Sequence, residues 1–324
     1  MSIKQIHKTL TDRVFIFPVI IVLAFFARIF AGVTFHEYDA WVVFIIQIGI
    51  AVLLALISYE YQIIKKKTFL PAALFLLFTA SNPVLYNNLE TTISAFAMVL
   101  CLLISFKNYH NHHSQIGSFN IALILTVGSV LCWWPLLLFI PMFWVGFAWF
   151  RAFNARSFFA SLLGIFTVYL FLFAWSVYSK DLNIFFERLP HFNGIISVDW
   201  IELQWYDWAV VVYLVLLLLL AAIDIFVSGF SEKIRTKLFF KFLYLFVAVL
   251  FAFICFFDFM VNEIQTSIYF AIAFISGFYF AMNENNKLVT YLLIFTFLFF
   301  ITSYIFRLGI IDFWLMPIFN SYFL

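Results

Sequence analysis

Two acidic residues separated by one position, Glu37 and Asp39, are the residues of this sequence best suited to chemistry. Carboxylates bind a divalent cation such as Mg²⁺ or Mn²⁺ through oxygen, and one can act as a general base toward an acceptor hydroxyl. We therefore predict that Glu37 and Asp39 are catalytic and metal-binding residues. The alternative is a solvated turn without a chemical role. His36 and Trp41 flank the acids and are candidate substrate-binding residues, although Trp41 is also typical of an aromatic residue at a membrane surface.

A single arginine, Arg28, lies in the apolar stretch before these acids. A charge at the centre of a membrane helix costs about 2.5 to 3.5 kcal/mol on insertion scales, so Arg28 needs a partner or a route to the surface. Because the donors of a guanidinium suit phosphate oxygens, we predict that Arg28 binds a lipid phosphate of the substrate. The alternatives are snorkelling to the headgroups and a structural ion pair with an acid such as Glu37 or Asp39.

Two further segments carry candidate substrate-binding residues. Segment 81–91 contains Asn88 and Glu90, which could hydrogen-bond a sugar, although its Asn-Pro sequence is also typical of an ordinary turn. Segment 180–208 contains Arg188 and His191, which could assist an anionic lipid headgroup. Its mixture of aromatic and charged residues equally indicates simple anchoring in the membrane interface.

The elements that must position these residues are membrane helices, because 66% of the 324 residues are hydrophobic and only 10% are charged. A hydrocarbon core of roughly 30 Å takes about 20 apolar residues of helix. We predict an all-α, polytopic membrane protein with about eleven spans, near 14–33, 41–58, 69–80, 92–106, 119–134, 136–150, 158–178, 208–227, 242–257, 265–282 and 288–305. Pro135 and Pro141 favour two spans rather than one in 119–150.

The distribution of basic residues predicts how the chain is oriented. With the N-terminus in the cytoplasm, fourteen of the 18 Lys and Arg fall in inside segments and three fall outside, as the positive-inside rule requires. We expect a bacterial cytoplasmic (inner) membrane protein whose C-terminus lies outside. Residues 1–324 are expected to form one transmembrane helical domain, with 179–207 as the longest outer loop, at the interface. The net charge of +2 gives no reason to expect a nucleic-acid partner.

The stretch FARIFAGVTFHEYDAW, residues 26–41, resembles the first outer loop of C-type glycosyltransferases, in particular the oligosaccharyltransferase catalytic subunit. The resemblance implies a helical bundle of that type and a loop acid, here Asp39, that binds metal or activates the acceptor. It also implies a polyprenyl-phosphate-linked sugar as substrate. Ala40 stands where that family has proline, and the Trp-Trp-Asp-Tyr-Gly motif is absent, so we do not expect peptide glycosylation.

A second stretch, residues 128–169, is similar to an uncharacterised family of bacterial multi-spanning membrane proteins, through its aromatic-Pro break, Arg-x-Phe-Asn-x-Arg loop and Leu-Gly helix. This resemblance implies relatives but no activity. Two functions follow from the sequence, and a transporter is a third alternative that is less favoured because the predicted spans contain few charges apart from Arg28 and Asp224. The first is a C-type glycosyltransferase-like enzyme that uses a lipid-linked sugar at the outer face. The second is a non-catalytic membrane subunit or scaffold of a cell-envelope complex, with an envelope protein as its partner.

Overall fold

The computed structural model describes residues 16–34, 36–61, 68–111, 114–132, 134–189, 205–225, 234–256, 261–283 and 286–308, and over these ranges it is all-helical, without a strand. Short 3-10 segments lie at Pro83–Leu85 and Trp134–Phe139. The α-helices are α1 Ile16–Phe30, α2 Tyr38–Glu60, α3 Leu70–Ala80, α4 Leu89–Lys107, α5 Gln115–Leu131, α6 Ile140–Trp149, α7 Ala155–Tyr178, α8 Asn183–Glu187, α9 Trp205–Ile223, α10 Ile234–Phe256, α11 Val261–Met282 and α12 Lys287–Arg307.

Many of these helices have the length and composition of membrane spans. In the described part of the chain, seven are long and apolar enough to cross a bilayer, namely α2, α4, α7, α9, α10, α11 and α12. Four shorter apolar segments accompany them: α1, α3, α5 and the continuous stretch Trp134–Trp149. These helices support the prediction of a multi-pass membrane protein.

The chain divides into two compact units. Unit 1 contains Met1–Leu89, Ile201–Glu232 and Tyr269–Leu324, and unit 2 contains Glu90–Trp200 and Lys233–Ile268. Each unit is therefore assembled from segments that are distant in sequence. The expectation of one transmembrane domain stays a prediction.

The core of unit 1 is built around α3. Every residue from Leu70 to Ala80 is buried, as expected for a helix that is apolar on all sides. It packs against α1, α2 and α12, and the rings of Phe78 and Phe300 lie 4.4 Å apart. A Cβ atom added at Gly277 would lie 2.7 Å from the Pro71 side chain, so α11 approaches the start of α3 closely. The candidate residues near the end of α1 therefore lie on a helix that packs against the fully buried α3.

Polar contacts in unit 1 show which helix ends lie together. Arg307, at the end of α12, donates 2.6 and 3.1 Å hydrogen bonds to Asp207 at the start of α9 and a 3.0 Å bond to the carbonyl of Ser81 after α3. Near the opposite end of the same helices, Asn283 donates a 2.6 Å bond to Asp224. The end of α12 therefore lies beside the start of α9, so these two helices are antiparallel.

Unit 2 contains a close pair of helices, α5 and α7. The buried residues of α7 are all small, namely Ser157, Ser161, Gly164 and Ser176. A Cβ atom added at Gly164 would lie only 2.7 Å from the Phe119 carbonyl oxygen, so the two backbones approach each other as small residues allow in membrane helix pairs.

The stretch 119–150 of unit 2 forms two helical segments, as predicted. α5 ends at Leu131, and Trp134–Phe139 leads into α6, with Pro141 in the first turn of α6. Ser114, which precedes α5, donates to the carbonyl of Ala152, which follows α6. The end of α6 therefore lies beside the start of α5.

Candidate functional site

The loop between α1 and α2 begins with a tight helix ending. Gly32 has φ of +85°, its N–H donates to the carbonyl of Ile29, and the Val33 N–H donates to that of Arg28. This pair of bonds is the Schellman ending, in which a left-handed residue, usually Gly, satisfies the last helical carbonyls. Gly32 therefore fixes the direction in which the chain leaves α1, one turn after Arg28.

Within the loop, the side chains of the predicted catalytic acid Glu37 and of Trp41 both form hydrogen bonds with Thr34. A Glu37 carboxylate oxygen accepts a 3.3 Å hydrogen bond from the Thr34 N–H and a 3.2 Å bond from the Thr34 hydroxyl. The Trp41 indole N–H donates to the Thr34 carbonyl at 3.1 Å. Trp41 thus ties α2 to the loop, which is a structural role in addition to the predicted substrate contact.

The predicted acids are accessible. Asp39 and His36 are exposed, and Glu37 is half-buried. Asp39 lies in the first turn of α2, where the helix dipole favours a carboxylate. Among the described residues, no group of three or more His, Cys, Asp or Glu could hold a metal ion. A Mg²⁺ ion commonly takes one or two carboxylates and completes its shell with water and substrate phosphates, which is the arrangement that Glu37 and Asp39 could serve.

Arg28 is fully buried, with 0% of its surface exposed. Its Nη2 donates a 2.5 Å hydrogen bond to the side-chain oxygen of Gln47, and its Nη1 donates a 3.2 Å bond to the Ala24 carbonyl. The guanidinium carbon lies 4.3 Å from the ring centre of Phe44 and 4.5 Å from that of Tyr86, in cation–π contact with both. Arg28 is therefore held by a neutral amide and two rings, rather than by snorkelling to the surface.

No carboxylate of the described residues pairs with Arg28, whose side-chain donors bond to Gln47 and Ala24 instead. The ion pair that the structure shows in the described part of unit 1 joins Arg307 to Asp207. The Arg28 Nε and the Gln47 Nε2 are buried and make no hydrogen bond within the described residues. A cation buried without a counterion is costly, so its charge and unused donors are the features that an anionic ligand would satisfy.

Two tyrosines near Arg28 form hydrogen bonds with carbonyl groups at the ends of α1 and α3. Tyr86 donates to the Ala80 carbonyl, and Tyr304 of α12 donates to the Ala27 carbonyl. Burial raises the pKa of the Tyr86 phenol, and the positive charges of Arg28 and Arg307 oppose this rise. The Tyr86 phenol is therefore neutral at physiological pH and acts as a hydrogen-bond donor.

The sequence did not identify Gln47, Tyr86, Tyr304, Arg307 or Asp207 as neighbours of this region. One signal was available, because Gln47 is the one amide in the predicted span 41–58. A polar residue within an apolar span is typically buried against another polar group. The contacts of the tyrosines depend on the packing of α3 and α12, which hydropathy does not specify.

The other predicted residues lie in several places. Trp41 is near Arg28, since both approach the Phe44 ring, with Trp41 at a centroid distance of 6.3 Å. Asn88 is half-buried in unit 1, before α4. In unit 2, Glu90 is exposed in the first turn of α4, and Arg188 donates a 3.0 Å hydrogen bond to the Val130 carbonyl. His191 lies outside the described residues.

The arrangement in unit 1 combines an accessible pair of acids with a buried cation one helical turn below the loop. It could bind an anionic group, with or without a divalent cation, at the end of α1. No protein-family model, no curated protein and no solved structure matches this chain. The proposals of function below therefore start from its own residues and contacts.

Proposed function

We propose that the protein is a C-type glycosyltransferase-like enzyme of the bacterial inner membrane that takes a polyprenyl-phosphate-linked sugar at the outer face. The seven long apolar helices and the four shorter segments would give eleven crossings, with the N-terminus in the cytoplasm and the C-terminus outside. The loop between α1 and α2 would then face outward, and its acids would meet the sugar headgroup at the membrane surface.

The observation that carries this proposal is the uncompensated charge of Arg28 next to the loop with Glu37 and Asp39. A lipid diphosphate is anionic and is drawn to a positive potential, which extends far in a medium of low dielectric constant. A divalent cation between the phosphates and the acids would add to this attraction. Asp39 is the more available acid, because Glu37 is bonded to Thr34. His36, Trp41 and Asn88 would contact the sugar. The substrate-binding roles of Glu90, Arg188 and His191 stay predictions from the sequence.

The test is transfer from a polyprenyl-diphosphate-linked hexose to a water-soluble acceptor mixture, with purified protein in liposomes and either Mg²⁺ or Mn²⁺ present. Asp39→Asn should reduce the rate by at least about 100-fold if this residue acts as the base or holds the metal. Glu60→Gln is the matched control, because Glu60 is an exposed acid at the other end of α2. Equal transfer rates in wild type and Asp39→Asn would contradict the catalytic role assigned to Asp39.

The second candidate function is a non-catalytic membrane subunit or scaffold of a cell-envelope complex. It is favoured by α7, because only 17% of its apolar part is buried and side chains such as Phe159, Leu163 and Phe166 are exposed there. A membrane partner could cover this face, although lipid covers it equally well.

A photo-crosslinking residue at Leu163, introduced in intact cells, separates these cases. A scaffold should give one discrete protein adduct, and that adduct should disappear when the crosslinker is moved to buried Ser161. Crosslinking to lipid alone would argue against a scaffold that uses α7.

A further inference from the structure

One end of unit 2 carries basic side chains from three separate segments of the chain. These segments are the end of α4, the junction of α6 with α7, and the start of α10. Together they contribute six basic residues, which we call the basic surface: Lys107, Arg151, Arg156, Arg235, Lys237 and Lys241. Among them, Lys107, Arg151, Arg156 and Lys241 are exposed.

Buried phenylalanine rings bring the three segments together. The Phe106 ring of α4 stacks on the Phe239 ring of α10 with a centroid distance of 4.2 Å. The ring of Phe150, which directly follows α6, lies 6.0 Å from Phe106 and 5.4 Å from Phe239. The His110 N–H, in the loop after α4, donates a 3.1 Å hydrogen bond to the Phe150 carbonyl. Since each of the three rings lies within two positions of a basic residue, their packing places the basic segments side by side.

Two of the cations lie over aromatic rings at the edge of this cluster. The Lys241 Nζ lies 4.3 Å from the ring centre of Trp149. The guanidinium carbon of Arg235 lies 5.4 Å from the ring centre of Tyr109 and 5.2 Å from that of Phe239. Such contacts hold long side chains in place before a ligand arrives, which lowers the entropic cost of binding. Trp and Tyr are also the aromatic residues typical of the headgroup level of a bilayer, so they indicate the depth of the basic surface.

The described acids of unit 2 lie at other helix ends. Glu90 is at the start of α4, Asp181 and Glu187 follow α7, and Glu263 is at the start of α11, after the far end of α10. In α4 and α7, each acid is thus separated from the basic surface by the whole length of a helix. The described part of unit 2 therefore has a basic end to which it contributes no carboxylate.

The surroundings of the basic surface favour a lipid over a protein as its ligand. The turn 150–154 and the loop 108–114 are short, so neither extends far beyond the helix ends. Each segment also carries an exposed apolar side chain beside its basic ones, namely Ile116 at the start of α5, Phe153 after α6 and Ile234 at the start of α10. Exposed apolar and basic side chains at one level match the boundary between hydrocarbon and headgroups.

We propose that the basic surface of unit 2 binds the headgroup of an anionic phospholipid, and that it binds a headgroup with two phosphates, as in cardiolipin, more tightly than one with a single phosphate. Each Lys or Arg near a membrane surface strengthens the attraction of anionic lipid about fivefold, and basic sites at helix ends suit headgroups of this kind. Orientation by the positive-inside rule requires no bound lipid, so this site goes beyond the predicted topology. It shares no residue with the proposed function.

The first experiment uses the full-length protein in a non-ionic detergent and measures, by native mass spectrometry, the Kd of three added lipids. Phosphatidylglycerol should bind at least about fivefold more tightly than phosphatidylcholine, and cardiolipin about fivefold more tightly again. Equal affinities for phosphatidylglycerol and phosphatidylcholine would overturn the proposal, and equal affinities for the two anionic lipids would overturn the preference for two phosphates. A polyglutamate peptide that displaces cardiolipin at equal concentration would assign the surface to an acidic protein instead.

A matched pair of variants tests where the lipid binds. Arg151 and Lys180 both have a left-handed backbone, with φ of 55° and 58°. Glycine is favoured in this conformation, so Arg151→Gly and Lys180→Gly each remove one charge without straining the fold. Arg151 belongs to the basic surface, whereas Lys180 follows the far end of α7. Arg151→Gly should weaken phosphatidylglycerol binding about fivefold, and Lys180→Gly should leave it unchanged. Equal Kd values for the two variants would rule out this surface as the site.

A second pair separates the basic surface from the net charge of the protein. Lys241→Gln should weaken cardiolipin binding about fivefold, whereas Lys287→Gln, at the exposed start of α12 in unit 1, should not. Equal losses in the two variants would show that net charge alone attracts the lipid. Asp39→Asn should bind cardiolipin as wild type does, so failure of the lipid site and failure of the transferase proposal are distinguishable.

Discussion

Arg28 and Arg307 occupy equivalent places in unit 1, in the last turn of α1 and of α12, and they are held by opposite means. Arg307 reaches a carboxylate, Asp207, at 2.6 Å. Arg28 reaches an amide at 2.5 Å and lies against two aromatic rings. A cation with its own carboxylate has a sufficient structural role, whereas one without a counterion is available to a ligand. The difference indicates which of the two arginines to examine for binding.

The largest expected effect is at the paired arginine. Arg307→Met should lower the free energy of unfolding by roughly 2 to 3 kcal/mol, because it leaves Asp207 and the Ser81 carbonyl without their donor. The value lies below that of a fully buried pair, since the Asp207 side chain is 26% exposed. SDS titration in mixed micelles measures the change. Arg307→Lys, which keeps the charge, should recover part of the loss; a full-size loss in the lysine variant would show that packing, not charge, holds this site.

A smaller effect is expected at the tyrosine between the two arginines. Tyr86→Phe should cost about 1 kcal/mol, because the buried Ala80 carbonyl loses its donor while the ring contact with Arg28 is kept. Since folding raises the pKa of Tyr86, the folded state holds this proton more tightly than the unfolded state does. The corresponding stability is present below the unfolded pKa of about 10 and falls as the pH rises above it.

Thermal unfolding of wild type and Tyr86→Phe between pH 8 and pH 11 measures this pH dependence. The variant should lose less stability than wild type above about pH 10. Parallel curves for the two proteins would contradict the role given to the phenol.

The smallest change in stability is expected at the unpaired arginine. Arg28→Met should alter the free energy of unfolding by less than about 1 kcal/mol, because the desolvation cost that is removed offsets the lost contacts with Gln47 and the rings. The same SDS titration, run beside Arg307→Met, checks this. A loss at Arg28 as large as that at Arg307 would remove the contrast and make both arginines structural.

Hydropathy predicted the positions of the helices well, but it placed the start of α10 too late, because charged residues lie inside the first turns of that helix. The predicted span 242–257 corresponds to α10, which begins at Ile234. The basic residues at its start lower the hydropathy but do not end the helix, because their long side chains lie over aromatic rings. Lys241 lies 4.3 Å from the ring centre of Trp149, and Arg235 lies 5.4 Å from that of Tyr109.

The candidate site was predictable as a segment and not as a set of contacts. Composition alone indicated that Arg28 needs a partner, and its nearest acids in sequence, Glu37 and Asp39, were the natural candidates. The structure instead pairs Arg28 with Gln47, 19 positions away, and with the ring of Tyr86. Which polar group reaches a buried cation depends on the rotation of α2 about its axis, and a pattern as uniformly apolar as 41–58 does not define that rotation.

The burial of α3 on every side has a consequence for how the protein is made. With 11 residues, α3 rises only about 16 Å, roughly half of a hydrocarbon core. A segment this short partitions weakly into lipid when it leaves the translocon, and it gains its full burial only against α1, α2 and α12. Since α12 is synthesised more than 200 residues after α3, unit 1 cannot complete its core until α12 has been made. Until then, α3 lacks the contacts with α12 that complete its burial.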